Sequence, residues 1–271
     1  MPPRVERLLV RTWNVFHGNA SPPERRGFLE EAIRLAVADR PDVVCLQELP
    51  VWSLRHLREW SRMIAFADAA RRPMLGPVPT TEKIGRVLTD LNHGLFRSAF
   101  TGQANAMLLG PTLAVVAHQH VILNPWSFRR RFEFGAAAAI AWAKERRGCQ
   151  VVRLQRDSGT LVVANLHATS NHDKRLADAE LLRAATFVDG FAHPGEPVVL
   201  GGDFNVTLRN SRTLPELVGP DWGFEGATPN GIDHILVRDL QAGAPARWPV
   251  ERRRVAGRVL SDHAPVDREL Q

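Results

Sequence analysis

The chain has 271 residues, 44% of them hydrophobic, which is enough to bury a sizeable core and excludes global disorder. Its net charge of +6 comes from 35 Lys and Arg against 29 Asp and Glu, and arginine, whose planar fork suits phosphate, supplies nearly all of the excess. Two cysteines, Cys45 and Cys149, lie inside apolar runs and read as core residues of a reducing compartment rather than a disulfide framework. No apolar run approaches the ~20 residues of a membrane span, and the N-terminus lacks a signal-peptide core, so a cytoplasmic location is expected.

In chain order, residues 7–15 read as a strand, and 22–40 as a helix stopped by Pro41. A nearly all-apolar strand follows over 41–48, completing strand, helix, strand. Helices are predicted over 51–70 and 80–100, with a Pro-rich loop, RRPMLGPVPTT, between them. Strands follow at 103–110 and 112–123, then a hairpin over 149–169 turning at RDSGT. The remainder reads as an amphipathic helix at 171–192, the strand opening VVLGGDFNV, and short strands at 231–237 and 263–270. With no repeat and no linker, residues 1–271 read as a single domain whose helices cover a two-sheet core.

The strand ends carry the chemistry. Asn14 ends the first strand, Gln47 and Glu48 the second, and His167 the hairpin, while Asn105 sits in QANAMLL. Asp203 and Asn205 close VVLGGDFN, Asp233 begins DHILV, and Asp262 and His263 precede the last strand. Such an oxygen-rich set without cysteine suits a hard cation such as Mg²⁺ better than zinc. Two histidines near carboxylates can supply an acid and a base. Among the other histidines, His17 reads as a loop residue and His234 as core or surface. His118 and His120 alternate on one strand face like a metal pair, but no acid accompanies them in sequence, so they read as exposed.

TWNVFHG, VVCLQE, GQANAMLL, VANLHAT, VVLGGDFN, GIDHILV and SDHAPV, in this order, resemble the motifs of the endonuclease/exonuclease/phosphatase superfamily. The resemblance runs from about residue 8 to 268, leaving 51–100 and 124–145 unmatched. It implies an α/β fold of the deoxyribonuclease I-like kind, a four-layer α/β sandwich of two mixed β-sheets packed face to face with helices outside. It also implies Mg²⁺-dependent hydrolysis of a phosphate ester, with Mn²⁺ as a possible substitute.

By motif, the resemblance makes Glu48 the principal metal ligand, with Asn14 in its shell and Asp262 as a further ligand. Asp203 would orient or deprotonate the attacking water, and Asn205 would hydrogen-bond a phosphate oxygen. His263 would touch the phosphate or activate water with Asp233 as its carboxylate partner, and His167 would protonate the leaving oxygen. Asn105 and either Arg146 or Arg147 are the phosphate-binding candidates, with Arg129–Arg131 as competitors. The chain has no tyrosine, and so lacks the catalytic tyrosine of the abasic-site endonucleases. Nucleic acid is the favoured substrate on charge grounds, a phospholipid head group or small phosphoester the alternative, and a catalytically silent binding module a third reading. No obligate protein partner is expected.

Overall fold

The computed structural model describes residues 7–75, 78–96, 100–144 and 146–271. Strand β1 (Leu8–Asn14) leads through helix α1 (Leu29–Ala36) to the parallel β2 (Val43–Leu49). A short helix α2 (Leu57–Ser61) precedes β3 (Ile64–Arg71), and α3 (Glu82–Leu91) precedes β4 (Gln103–Leu109) and β5 (Ala114–Ile122), which join different sheets. Next come α4 (Ala136–Lys144), the hairpin β6 (Gly148–Arg156) and β7 (Gly159–His167), α5 (Arg175–Phe191) and β8 (Val198–Asp203). The chain closes with α6 (Thr213–Leu217), β9 (Asp233–Arg238), β10 (Ala246–Arg247) and β11 (Val266–Leu270).

One sheet runs β10-β11-β1-β2-β4-β3 and the other β9-β8-β7-β6-β5. Alternation sorts the side chains into layers. Val10, Cys45, Met107, Val152, Val163, Val199 and Ile235 meet between the sheets. The opposite faces pack on helices, with Trp13, Val44 and Leu46 against α1, and Val162, Ala164 and Leu200 against α5 and α6. Each such fully buried Leu or Val contributes roughly 1.5–3 kcal/mol relative to exposure. The result is the four-layer sandwich that the motif resemblance implies. Both cysteines are free and buried; burial pushes the Cys45 thiol up to about 12, so both sulfurs behave as apolar filler. Among the described residues, no helix is long and apolar enough to cross a membrane.

Several expected elements differ. The helix expected over 22–40 is confined to Leu29–Ala36. Pro22 and Pro23 lack the amide hydrogens a helix needs. Gly27 lies against the His93 ring, and His93 N donates to Arg25 O at 3.0 Å, which holds this stretch against the neighbouring chain instead. The helix expected over 51–70 is a 3-10 turn, then α2, then β3. Arg62 takes a left-handed φ of 57° and ends α2, after which Ile64 and Phe66 alternate with Ala65 and Ala67 across β3. The helix expected over 80–100 is α3, capped by Thr81 Oγ1 accepting from Ile84 N, plus a turn over His93–Phe96; residues 97–99 lie outside the described set. Within the Pro-rich loop, Met74–Leu75 pairs with Val78–Pro79.

Midway along β1, Arg11 is fully buried. It donates to Asp267 of β11 at 2.6 and 2.7 Å and to Asp39 beyond α1 at 2.7 and 2.8 Å, with Trp248 packed over its guanidinium at 4.2 Å. The paired charge holds Asp39 far below the usual carboxylate range. Replacing Arg11 by Met leaves two acids facing an apolar stem, and should cost about 3 kcal/mol, the low end for breaking a buried pair because both acids reach solvent. Urea unfolding reads this as a lower midpoint; an unchanged midpoint would show that the network has no net stabilising effect.

Candidate active site

Strand pairing delivers the acids and the first histidine. His167 ends β7 opposite Asp203 in the parallel ladder, and Asp203 lies opposite Asp233 in the antiparallel one, so the three stand side by side at one end of the second sheet. The GGD step makes this possible. Gly202 has φ of 142°, and a Cβ there would strike the Leu166 carbonyl oxygen. The first sheet ends at the same level. Asn14 is in register with Gln47, and Asn14 Nδ2 donates across the sheet interface to Asp203 Oδ2 at 2.9 Å.

Glu48 lies where the β2–β4 register shifts, between Leu46 and Leu49, and has a left-handed φ of 57°. The bulge turns its carboxylate out of the ladder toward the second sheet, where Glu48 Oε1 lies 3.7 Å from His167 Nε2. Asn205 and Ser261 share the left-handed conformation at φ of 54° and 57°. Ser261 Oγ donates to the Asn14 carbonyl at 2.7 Å and accepts from His263 N at 3.0 Å, which seats His263 against β1. Trp13 Nε1 and Arg253 Nη1 both donate to the His263 carbonyl, at 3.0 and 2.7 Å.

Phe16, His17, Glu48, Arg71, Gly102, Gln103, Arg147, Ser170, Asp203, Asn205, Asp262 and His263 line one cavity of about 310 Å³. Asp203 is 1% exposed; burial, then the charge of Asp233, pushes its carboxyl far above the usual range. Burial would lower the His263 imidazolium, but Asp233, 2.9 Å from Nδ1, together with Asp203 and Asp262 raises it to about 10. His167 goes the other way. Burial first, then the Arg147 guanidinium, keeps it well below its ordinary value and therefore neutral, with Arg147 Nη1 2.8 Å from Nε2. Glu180 of α5 braces this wall, accepting from Trp142 Nε1 and from Thr169 N and Oγ1, two residues beyond His167.

A divalent ion has two candidate cradles. Asp203, Asp233 and His263 have ligand atoms within 4.8 Å of one another, but His263 Nδ1 is committed to Asp233 and carries a proton. The alternative donors are Glu48, the Asn14 amide oxygen and the outlying Asp262, an oxygen set next to acids whose crowding a cation relieves.

Of the residues predicted from sequence, Glu48, Arg147, Asp203, Asn205, Asp262 and His263 line the cavity, and Asn14, His167 and Asp233 touch them from behind. Arg146 is exposed and Arg147 buried, so Arg147 is the arginine in the cavity. Asn105 faces between the sheets instead, donating to the Gly148 carbonyl at 3.0 Å. Arg129–Arg131 do not line the cavity. His17 was read as a loop residue, yet its Nε2 lies 3.6 Å from Glu48 Oε2; its place inside TWNVFHG was the available signal. Ser261 stands first in SDHAPV and had the same signal; Arg253 had none, because its work is on backbone carbonyls. His234 is a core residue, bonded to Val206 O and Thr228 N.

A sequence profile of the Endonuclease/Exonuclease/phosphatase family matches residues 12–263. No curated protein matches the chain. Among solved structures, it is similar to a conserved protein of unknown function from Enterococcus faecalis V583, at 16% identity, 97% and 99% coverage of the two chains and TM-score 0.68. It is similar to the human Nocturnin catalytic domain with bound sulfate, at 13% identity, 100% and 95% coverage and TM-score 0.65. It also resembles D. rerio TDP2 humanised by 14 mutations, at 13% identity, 98% and 99% coverage and TM-score 0.64.

The Asp203 shift has a measurable sign. A carboxyl whose folded pKa is raised contributes stability that is complete below its unfolded value of 3.8 and is lost as pH rises to about 7. Asp203→Asn should therefore flatten the fall in urea midpoint across that window and equal or exceed the native midpoint at pH 7. Superimposable pH profiles for the two proteins would refute the buried-charge account.

Proposed function

Because the chain belongs to the endonuclease/exonuclease/phosphatase family, whose members are phosphoester hydrolases generally dependent on a divalent metal, we propose that it is a Mg²⁺-dependent phosphodiesterase and that nucleic acid is its substrate. The observation that carries this reading is the meeting of Glu48, Asp203, Asn205, Arg147 and the Asp233–His263 pair on one polar cavity. Glu48 and Asn14 would hold the ion, with Asp262 at the mouth, and Mn²⁺ fits the same oxygen donors. Bound there, the cation neutralises charge that builds on the phosphate during attack.

The chain's own groups divide the remaining work. Arg147 and the His263 imidazolium present positive charge to the phosphate, where preorganised donors act without reorganisation cost. The raised carboxyl of Asp203 can accept a proton from an attacking water at neutral pH. Asn14 holds Asp203 by one oxygen, and Asn205 N holds it by the other, at 3.0 Å. Asn205 Nδ2 gives one hydrogen to the Ala168 carbonyl, which aims the amide, and its other hydrogen is the one offered to a phosphate oxygen. His167 is neutral without substrate. An anionic phosphate that engages Arg147 would favour an imidazolium there, formed with a proton taken from solvent, and His167 would pass that proton to the leaving oxygen.

Arg71 at the cavity wall adds positive charge beside Arg147, in keeping with a polyanionic substrate. Glu48→Gln and His263→Ala should each lower kcat/KM on a chromogenic phosphodiester by about 10²–10⁴ with the fold intact; turnover at background in all three proteins points to a silent binding module. With DNA or RNA, affinity should fall steeply with added salt through counterion release. A flat salt response, with turnover of sphingomyelin or an inositol phosphate instead, would move the substrate to the small-phosphoester class.

A further inference from the structure

A larger cavity, of about 710 Å³, lies outside the catalytic one and shares none of its lining. Its floor is one stripe of α5, where Ala179, Leu182 and Thr186 recur at i, i+3 and i+7, while Leu181, Ala184 and Val188 of the same helix pack into the core. Phe128, Phe132 and Phe134, from the segment ahead of α4, form the facing wall. These rings meet Trp142 edge-on at 6.0, 5.6 and 5.2 Å, and Trp142 donates to Glu180, so the cavity lies behind the wall that Glu180 braces. Phe132 is 37% exposed and Leu182 42%, so apolar surface stands open at a concavity that is already formed.

The charges around it do not cancel. Arg175 is spent on Asp173, at 2.9 and 2.6 Å. Asp178 is spent as well, accepting from Ser211 Oγ, Arg212 N and Thr213 N. Glu133 is an exposed acid at the rim. Against it stand two guanidinium groups, of Arg183 and Arg212, and among the described residues no acid pairs with either. Arg183 Cζ lies 4.8 Å over the Phe128 ring, and its Nε donates to the Ile122 carbonyl at 3.3 Å. Burial, then the charge of Arg131, lowers its pKa, the mark of a cation held beside rings without a counter-ion.

We propose that this cavity binds a long-chain carboxylate, a free fatty acid, with its alkyl chain along α5 between the phenylalanine rings and its carboxylate on Arg183. Arg212 adds positive charge at the rim. The rings and Leu182 select an apolar chain, and the unpaired guanidinium selects an anionic head, through a charge-assisted hydrogen bond. The volume falls within the range of small-molecule sites.

Calorimetric titration of the full chain with dodecanoate, kept below micelle formation, tests this. One equivalent should bind, and affinity should rise about 2–4-fold for each methylene added from octanoate to dodecanoate. Leu182→Glu puts a like charge on the floor and should weaken dodecanoate at least about 10-fold; Arg183→Gln should weaken it about 5-fold or more. Dodecyltrimethylammonium, with the same chain and the opposite charge, should bind at least about 10-fold more weakly than dodecanoate. Dodecanoate should also raise the melting temperature of the native chain and of His263→Ala but not of Leu182→Glu, because a ligand bound only by the folded state stabilises it. Leu182 is an exposed helix residue, so its replacement leaves a folded protein to test. Absent binding, binding indifferent to both substitutions, or equal binding of the ammonium would each overturn the site. So would a dimer that closes the cavity in sedimentation, or displacement of dodecanoate by an oligonucleotide, since each assigns the cavity another occupant.

Discussion

A buried amide relay between the two sheets sets the geometry on which the site depends. The face-to-face core is apolar, and apolar packing alone does not fix how far one sheet slides over the other. Directly beneath the cavity, Gln47 Nε2 donates to Asn165 Oδ1 at 2.7 Å, and Asn165 Nδ2 donates to the carbonyls of Leu46 and Ala106 at 3.0 Å. Both residues are fully buried. Leaving such a group unsatisfied costs about 1–3 kcal/mol, so a slipped register is penalised as well as unrewarded. Gln47 immediately precedes Glu48, and Asn165 stands two residues before His167. The relay thus fixes the spacing between the carboxylate of one sheet and the imidazole of the other.

The same economy governs the arginines. A basic chain suggests a basic surface, but many guanidinium groups are consumed inside. Arg11 joins β1, α1 and β11; Arg153 holds Glu196; Arg253 and Arg268 cap backbone carbonyls. Arg252 bridges to Asp39 while lying 3.5 Å over Trp248. In the arginine run at 252–254, Arg252 and Arg253 are therefore engaged in structural contacts. Arg71 and Arg147 are the guanidinium groups placed at the cavity, so formal charge is a poor guide to where a phosphate sits.

The fold class was legible because motif order and strand periodicity both survive in one dimension. The strand ends carrying Asn14, Glu48, His167, Asp203 and Asp233 could be located without coordinates, since the first four follow a buried apolar run and Asp233 opens one. Segment 51–70 was not legible as one helix, whereas 80–100 is helical over Glu82–Leu91. Alanine-rich strand β3 reads as helix until its neighbour β4 supplies a ladder, and tertiary pairing then overrides local propensity. Asp68 illustrates a deeper limit: its partners, His118 and His120, lie some fifty residues away on another sheet, and no local pattern encodes that meeting. The choice between Arg146 and Arg147 turned on which side of the strand entrance faces inward, a matter of one residue's rotation.

The bulge that aims Glu48 sits in β2, flanked on both sides by β1 and β4. A kink embedded in mid-sheet inherits the stiffness of its neighbours, so moving this acid means breaking a ladder rather than flexing a loop. The floor of the pocket is consequently a fixed anvil. Its rim, built from the turns bearing Phe16 and Ser170 and the strand ends bearing Arg71 and Gln103, hangs from that anvil. A lineage could exchange rim segments and shift to a different ester while the hydrolytic hardware stayed in place.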